Sequence, residues 1–482
     1  MQNIMLIGLG YHARRIYFPI LQELQKKNII DQIFAVDLKN QEEIIKNYLY
    51  AKKAKNVKLL FLNKPQNNKL NKSTKKILDS IIKKEKIKGV IISTEPLAHM
   101  VYAKWAVKNR LSVLMDKPIS THKWIICNKT YGKQLMVDYE ELVKMYRKAK
   151  KNNPEMVFAI MTQRRFHNAF RKMKEAIREV YKYTHCPVTS IQAFHGDGQW
   201  RFPTEIIEQN YHPYNQGYGV CSHSGYHVFD TVPWLMGGSD HNPDEMEVVS
   251  SFSTPNDLIE QYTFADYRRD FKNFEKYNKY SKREFIERAK NFGEVDSFNN
   301  FVFKKKGKVI TLANVNISHN GFSQRNWVTA EGRDLYKGNG RVRQESYYIL
   351  QGPFQAISYL SYQSKEVDPN LQKDLFKVGG EYHADVYIFR NSTFNPKWKS
   401  VEQFSVKDFI RGTMKDKSRG HQEEARREAV VEFVDNLLTG NRKIALHSDL
   451  TQDVRSVKMM SAVYQSMARR KKGLNPLIKI KL

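Results

Sequence analysis

Apolar residues at the start of the chain come in short, nearly unbroken runs. Residues 4–8, 33–37, 57–62, 89–94 and 111–115 read as strands buried on both faces. Between them the apolar spacing turns helical. In residues 14–27, Ile16, Ile20, Leu21 and Leu24 share one face, with Pro19 marking either a break or a first-turn proline. Residues 98–109 are amphipathic in the same way. Strands alternating with helices predict a doubly wound parallel α/β sheet.

After Lys117 the pattern changes. Residues 139–151 read as a helix, and strand character follows at 156–162, 189–195, 247–252, 300–303, 309–318 and 345–350. This set suits an α+β domain built on a large, open, mostly antiparallel sheet. Residues 254–289, rich in Tyr, Phe, Lys and Arg, read as an insertion with some helix, and a second insertion falls near 371–417. Amphipathic helices at 423–438 and 453–469 close the chain. The expected division is a doubly wound, Rossmann-type domain over residues 1–121, then the α+β domain over 122–482.

At 482 residues, two domains are the natural expectation. No apolar run approaches the roughly 18 residues that span a bilayer. The first strand begins too early to leave room for a targeting peptide. Cys127, Cys186 and Cys221 form neither a metal-like pair nor a disulfide framework, so a cytoplasmic protein without a metal is expected. The net charge of +30 is large. Its lysines are spread over helix faces, and the dense stretch 46–88 lacks interleaved aromatics, so no nucleic-acid partner is expected. An anionic small-molecule substrate remains compatible.

Three clusters carry candidate chemistry. The first strand runs into Gly8-Leu9-Gly10-Tyr11-His12-Ala13. Gly8 suits a tight turn, Gly10 lets backbone approach a pyrophosphate, and Ala13 lets helix and strand pack closely. Asp37, ending the next strand, can accept the hydroxyls of an adenosine ribose, which favours NAD(H) over NADP(H). Lys39 is close enough to meet a 2′-phosphate. The second cluster follows the fourth and fifth strands: Thr94-Glu95-Pro96 with His99, and Asp116-Lys117-Pro118. Both lie where ligands bind in such sheets. The third is the segment 217–230, apolar enough for a buried helix, with His223 and His227 at i and i+4. His227 could take or give a proton, since the unperturbed pKa of a histidine lies near neutrality. The pair could equally be hydrogen-bonded core histidines.

Together these residues resemble the Gfo/Idh/MocA oxidoreductases (glucose–fructose oxidoreductase, inositol dehydrogenase and relatives). The resemblance covers most of the chain. It runs through the GxGxxA start, the T-x-P-x-x-H stretch from Thr94 to His99, the E-K-P motif as Asp116-Lys117-Pro118, and the D-x-G-x-H-x-x-D motif as His223 to Asp230. The closing stretch from Phe433 to Gly440 also looks like the family's C-terminus. It implies a nicotinamide cofactor held by Gly8, Gly10, Tyr11, His12, Ala13, Asp37, Thr94, Glu95, Pro96, His99 and Lys117. It implies a sugar, polyol or nucleotide-sugar substrate. Lys117 would bind substrate and polarise the reacting oxygen, and His227 would be the acid/base residue, with His223 beside it. Arg165, Trp200, Arg201 and His223 would contact substrate. The sheet of the second domain would form a homodimer or homotetramer interface. Two positions depart from the pattern. Asp116 replaces a glutamate. His223 replaces an aspartate, so a proton relay there would run at a different pKa and without a fixed negative charge. A non-catalytic dinucleotide-binding regulator or scaffold of the same fold is the competing expectation.

Overall fold

The apolar run that opens the chain becomes the centre of a parallel sheet. In the computed structural model, which describes residues 2–65, 69–198, 200–239, 242–271, 273–322, 341–365, 374–409, 421–440 and 446–482, six strands make this sheet. They are β1 (Gln2–Ile7), β2 (Ile30–Leu38), β3 (Val57–Leu62), β4 (Gly89–Ile92), β5 (Ser112–Met115) and β6 (Phe158–Ile160), in the order β3-β2-β1-β4-β5-β6. Met5 of β1 pairs with Phe34 of β2 on one side and Val90 of β4 on the other. Every residue of β4 and β5 is buried, which is why these strands read as continuous apolar runs.

The predicted first helix is two helices, Tyr11–Arg15 and Tyr17–Lys26, divided at Ile16 (φ −112°, ψ −67°). Pro19 therefore sits in a first turn, where its missing N–H removes a donor that had no partner in the helix. One placement differs from expectation. Residues 156–162 supply β6 of the parallel sheet, not a strand of the second one. The helix Lys129–Asn152, longer at its start than predicted, is the crossover that carries the chain from β5 to its parallel neighbour.

Two units divide the chain. The first comprises residues 1–121, 135–166 and 422–454, and the second residues 122–134, 167–421 and 455–482. In the first, the helix His421–Thr439 contributes Ala425, Ala429, Val430, Phe433 and Val434 to a core shared with β1, β2 and the early helices.

The second unit is built on nine strands: β7 (Ser190–Gly196), β8 (Glu245–Ser253), β9 (Asp296–Lys305), β10 (Lys308–Ser318), β11 (Arg341–Gln351), β12 (Gln355–Lys365), β13 (Asp385–Arg390), β14 (Val401–Ser405) and β15 (Ile478–Lys481). Their order is β14-β13-β12-β11-β7-β10-β9-β8-β15, and β7 with β10 is the parallel pair in an otherwise antiparallel sheet. Register places Phe298, Leu312, Tyr348, Phe389 and Val401, all exposed, on one face of the sheet.

The 254–289 insertion folds as four helices: Pro255–Gln261, Phe264–Asp270, Phe274–Tyr277 and Lys282–Ala289. Capping boxes at Thr254/Asp257, Thr263/Asp266 and Ser281/Glu284 start three of them. Phe264, Tyr267, Phe274 and Phe285 form an aromatic core with Phe202 and Tyr214. Of the second expected insertion, 371–373 and 410–417 lie outside the described residues. No described helix is long and apolar enough to cross a membrane.

Candidate functional site

The nucleotide turn is shaped by what its two glycines lack. Gly8 has φ +90°, and a Cβ there would lie 2.5 Å from the Ser93 carbonyl oxygen of the neighbouring strand end. Its N–H donates to Val36 at 2.8 Å. Gly10 caps the helix Tyr11–Arg15, and a Cβ built on it meets nothing within 4 Å. One glycine is thus required by the fold, whereas the other leaves space beside helix N–H groups, where a pyrophosphate would approach. Gly8→Ala is therefore expected to destabilise the protein by about 1–3 kcal/mol. Gly10→Ala should leave thermal stability unchanged and weaken NAD binding. Paired melting curves and calorimetric titrations of the two variants check this, and a stable Gly8→Ala would contradict it.

Asp37, next to last in β2, ties the turn in place. Its Oδ2 accepts the Leu9 N–H at 2.6 Å and its Oδ1 the Leu38 N–H at 2.7 Å. Burial raises its pKa against the pull of those two N–H groups and Arg14. A carboxylate has about four acceptor sites, so two amide bonds leave capacity for ribose hydroxyls. Lys39 is exposed at the start of the turn Lys39–Gln41. Tyr11 is exposed, Ala13 is fully buried, and the ring of His12 meets Tyr17 edge-on.

Lys117 follows β5 on the same sheet edge and is half-buried. Removal from water lowers its pKa to about 8. Asp116 opposes that shift, and Arg426 and Arg164 reinforce it. Burial also opposes ionisation of Asp116, yet His12, Lys117, His99 and the Lys117 N–H outweigh it and hold the carboxyl below its usual range. His12 Nε2 lies 3.3 Å from Asp116, and burial with nearby Arg426, Arg15 and Lys117 drives its pKa down to about 3. It is a neutral hydrogen-bonding partner at ordinary pH. His99, fully buried, has Nδ1 2.7 Å from the Pro118 carbonyl and Nε2 3.1 Å from the Thr94 carbonyl. Burial lowers its pKa, so the neutral ring has one N–H and donates to one of these two carbonyls, lodged between the ends of β4 and β5. Thr94 donates through Oγ1 to the Glu95 carbonyl at 3.2 Å, Glu95 caps the helix Pro96–Lys108, and Pro96 takes its first position. Arg164 and Arg426, distant in sequence from Lys117, had no local signal.

Arg165 is 2% exposed and committed within the first unit. Its guanidinium pairs with Asp453 at 2.6 Å and donates to the His447 carbonyl and to Gln452.

In the second unit, a π-turn at Cys221–Gly225 leads into the helix Tyr226–Met236. The predicted single α-helix through His223 is thus interrupted where His223 sits, so the i, i+4 geometry of a regular helix does not apply. His227 is 9% exposed, the most accessible residue from Val220 to Val232. His223 stacks on His212 at 4.6 Å between ring centroids, and its Nε2 lies 3.2 Å from the Pro213 carbonyl. His319 continues the stack, 6.0 Å from His223. Its Nδ1 meets the Tyr214 hydroxyl at 2.6 Å and its Nε2 the Ser224 hydroxyl at 3.2 Å. Asp197 lies at 4.0 Å from His319, 3.9 Å from His195 and 3.4 Å from Arg343. The guanidinium of Arg201 sits over the Tyr214 ring at 5.0 Å. His212, His319, Asp197 and His195 were not singled out from the sequence. The one available cue was that His195-Gly196-Asp197 ends a strand. Among the described residues, no three His, Cys, Asp or Glu side chains are placed to hold a metal ion.

A core of polar groups underlies the π-turn. Gly219 and Gly293 allow the two backbones to touch, since a Cβ on Gly219 would lie 1.8 Å from the Glu294 carbonyl oxygen. Glu294 Oε1 accepts the Cys221 N–H and the Tyr464 hydroxyl, each at 3.0 Å, and the Tyr464 oxygen lies 2.6 Å from that of Ser222.

The turn, the acid next to last in β2 and the sheet order define an NAD-binding Rossmann domain. Residues 2–153 match the family described as "Oxidoreductase family, NAD-binding Rossmann fold", GFO_IDH_MocA, so the Gfo/Idh/MocA resemblance holds there. No curated protein matches the chain by sequence. Solved structures similar to it along its whole length include the aldose–aldose oxidoreductase from Caulobacter crescentus complexed with glycerol (13% identity, 100% of this chain and 99% of that one, TM-score 0.54). An oxidoreductase from Agrobacterium radiobacter in complex with NAD+, L-tartaric acid and magnesium is similar too (12%, 100% and 98%, 0.56). So is the WlbA dehydrogenase from Bordetella pertussis in complex with NADH and UDP-GlcNAcA (12%, 100% and 98%, 0.54). At these identities the likeness establishes the fold.

Proposed function

We propose that the chain is an NAD(H)-dependent oxidoreductase acting on a CH–OH or C=O group of a carbohydrate-like substrate. The observation that carries this reading is Lys117, half-buried on the sheet edge that bears the nucleotide turn, with a pKa drawn down to about 8. A surface lysine before a turn proline would have no reason to be so placed.

Gly8, Gly10 and Ala13 would seat the pyrophosphate, and Asp37 the adenosine ribose. The nicotinamide supplies the hydride acceptor or donor. Lys117, cationic below about pH 8, binds the substrate oxygen and stabilises the negative charge that develops there. His227 exchanges the hydroxyl proton, an imidazole being a group that can both take and give one. His223, Trp200 and Arg201 contact the substrate's other groups. The net charge of +30 favours capture of an anionic substrate. The exposed apolar residues on one face of the nine-stranded sheet support a homodimer or homotetramer formed through that face.

Release of bound nucleotide, identified by mass and by its absorbance, and titration of NAD(H) against NADP(H) test the cofactor half of the reading. Tighter binding of NAD(H) is expected, because the Asp37 carboxylate repels a 2′-phosphate. Preference for NADP(H) would make Lys39 the residue that decides. Binding of neither would sink the oxidoreductase reading.

A further inference from the structure

The helices of the 254–289 segment close a pocket on Trp200. Its volume is about 280 Å³, and Trp200, Tyr262, Tyr267, Gln261 and Asn320 are among the residues that line it. Ligand pockets for drug-sized molecules run roughly 300–1,000 Å³, so this one admits a single ring. Trp200 and Tyr267 lie parallel within 6°, their centroids 5.7 Å apart, and Tyr262 stands at 77° to Trp200. The rings are held from behind. Tyr267 is in the aromatic core, and the Tyr262 hydroxyl donates to the Asp270 carboxylate. At the rim, the Asn320 and Gln261 amides are 3.4 Å apart. Asn320 is positioned by Asp296, whose Oδ1 accepts the Asn320 N–H at 3.1 Å and the Ser318 hydroxyl at 2.6 Å.

Three features restrict the ligand. Among the described residues the lining side chains carry no charge, so the pocket suits neither a phosphate nor a carboxylate. Tyr267 is buried in a stack with Trp200 and Phe274, so Trp200 and Tyr262 supply the aromatic surface, which favours a flat, C–H-bearing ring. Two adjacent amides offer donors and acceptors together, which matches neighbouring hydroxyls. A sugar ring satisfies all three. The pocket also adjoins the imidazole cluster through the chain itself: Arg201 follows Trp200, and Asn320 follows His319.

We propose that this pocket is a subsite for an uncharged sugar ring, a second unit joined to the one that reacts. The inference rests on the carbohydrate reading above and narrows it to substrates of more than one ring.

The test is saturation-transfer NMR on the full chain with cellobiose, maltose, chitobiose, glucose, N-acetylglucosamine and uridine as separate probes, read alongside NAD titration. At least one disaccharide should receive saturation on its ring protons and bind more tightly than its monosaccharide. Trp200→Ala should weaken that disaccharide about tenfold or more, and Gln261→Ala, at an exposed position, by about fivefold. Neither should alter NAD affinity. Gln261→Ala keeps the test decisive if Trp200→Ala fails to fold. Saturation of uridine alone would assign the pocket to a nucleobase and overturn the proposal. So would the absence of saturation from every sugar, or sugar binding indifferent to both variants. Failure of the wild-type protein to bind NAD would instead strike the oxidoreductase reading, whatever the sugars show.

Discussion

Lys117→Ala should lower kcat/KM on a confirmed substrate by roughly 10²–10⁴-fold, the range for a positioned acid–base or charge-stabilising group. Binding of NAD should weaken far less than turnover, because the glycine turn and Asp37 are untouched. The pH profile carries a sharper signature. Withdrawal from water lowers the Lys117 pKa to about 8, so the ammonium that stabilises charge on oxygen is present below that pH and lost above it. The rate of wild-type protein should fall above about pH 8, in either reaction direction. In Lys117→Arg, whose side chain stays charged throughout, residual activity should show no such limb. Turnover in Lys117→Ala within twofold of wild type would remove the role proposed for it.

Glu294→Gln should change the pH dependence of stability. Glu294 is 0% exposed, and burial pushes its pKa up to about 7 from 4.5. The native state therefore holds a proton that the unfolded chain releases between those values. Below about pH 4.5 both states are protonated and the group has no effect. As pH rises toward 7, stability falls, and above 7 the full cost is present, about 3 kcal/mol. Glutamine keeps an oxygen for the Cys221 N–H and the Tyr464 hydroxyl but has no charge to bury. The variant's stability relative to wild type should thus be about 3 kcal/mol more favourable at pH 8 than at pH 4.5, as measured by urea denaturation at both pH values. An offset independent of pH would show that Glu294 is not titrating in this window. Because Glu294 supports the turn that carries His223, the same variant also reports whether that turn tolerates a neutral partner.

The parallel sheet was legible because its strands are buried on both faces and its helices on one, so each left its own periodicity. The strand–turn–helix at Gly8–Ala13 was legible because a βα turn needs particular residue types at short, fixed offsets. Pro19 left two readings open, and helix geometry chose between them. β6 was assigned to the other sheet, since a three-residue strand says nothing of its neighbours. β12, β13 and β14 passed unnoticed, because Gln355, Ser361 and Gln363 put polar residues on the buried face of β12, and Leu360 and Phe389 put apolar ones on the open face.

In the second unit the limit is of another kind. A short-range pattern suggested His223 and His227, but the partners that define their surroundings come from separate elements. His319 follows β10, Asp197 follows β7, and His212 lies in a loop. Only strand pairing brings such residues together, because β7 and β10 run parallel and so end at the same edge. The same holds for Arg426 beside Lys117 and for Glu294 beneath Cys221. Backbone conformation and cofactor class follow from local residue order, which sterics and backbone hydrogen bonding constrain over a few positions. The charge state of Lys117, the π-turn at His223 and the pocket on Trp200 depend on desolvation and packing between distant segments, and no local pattern encodes those.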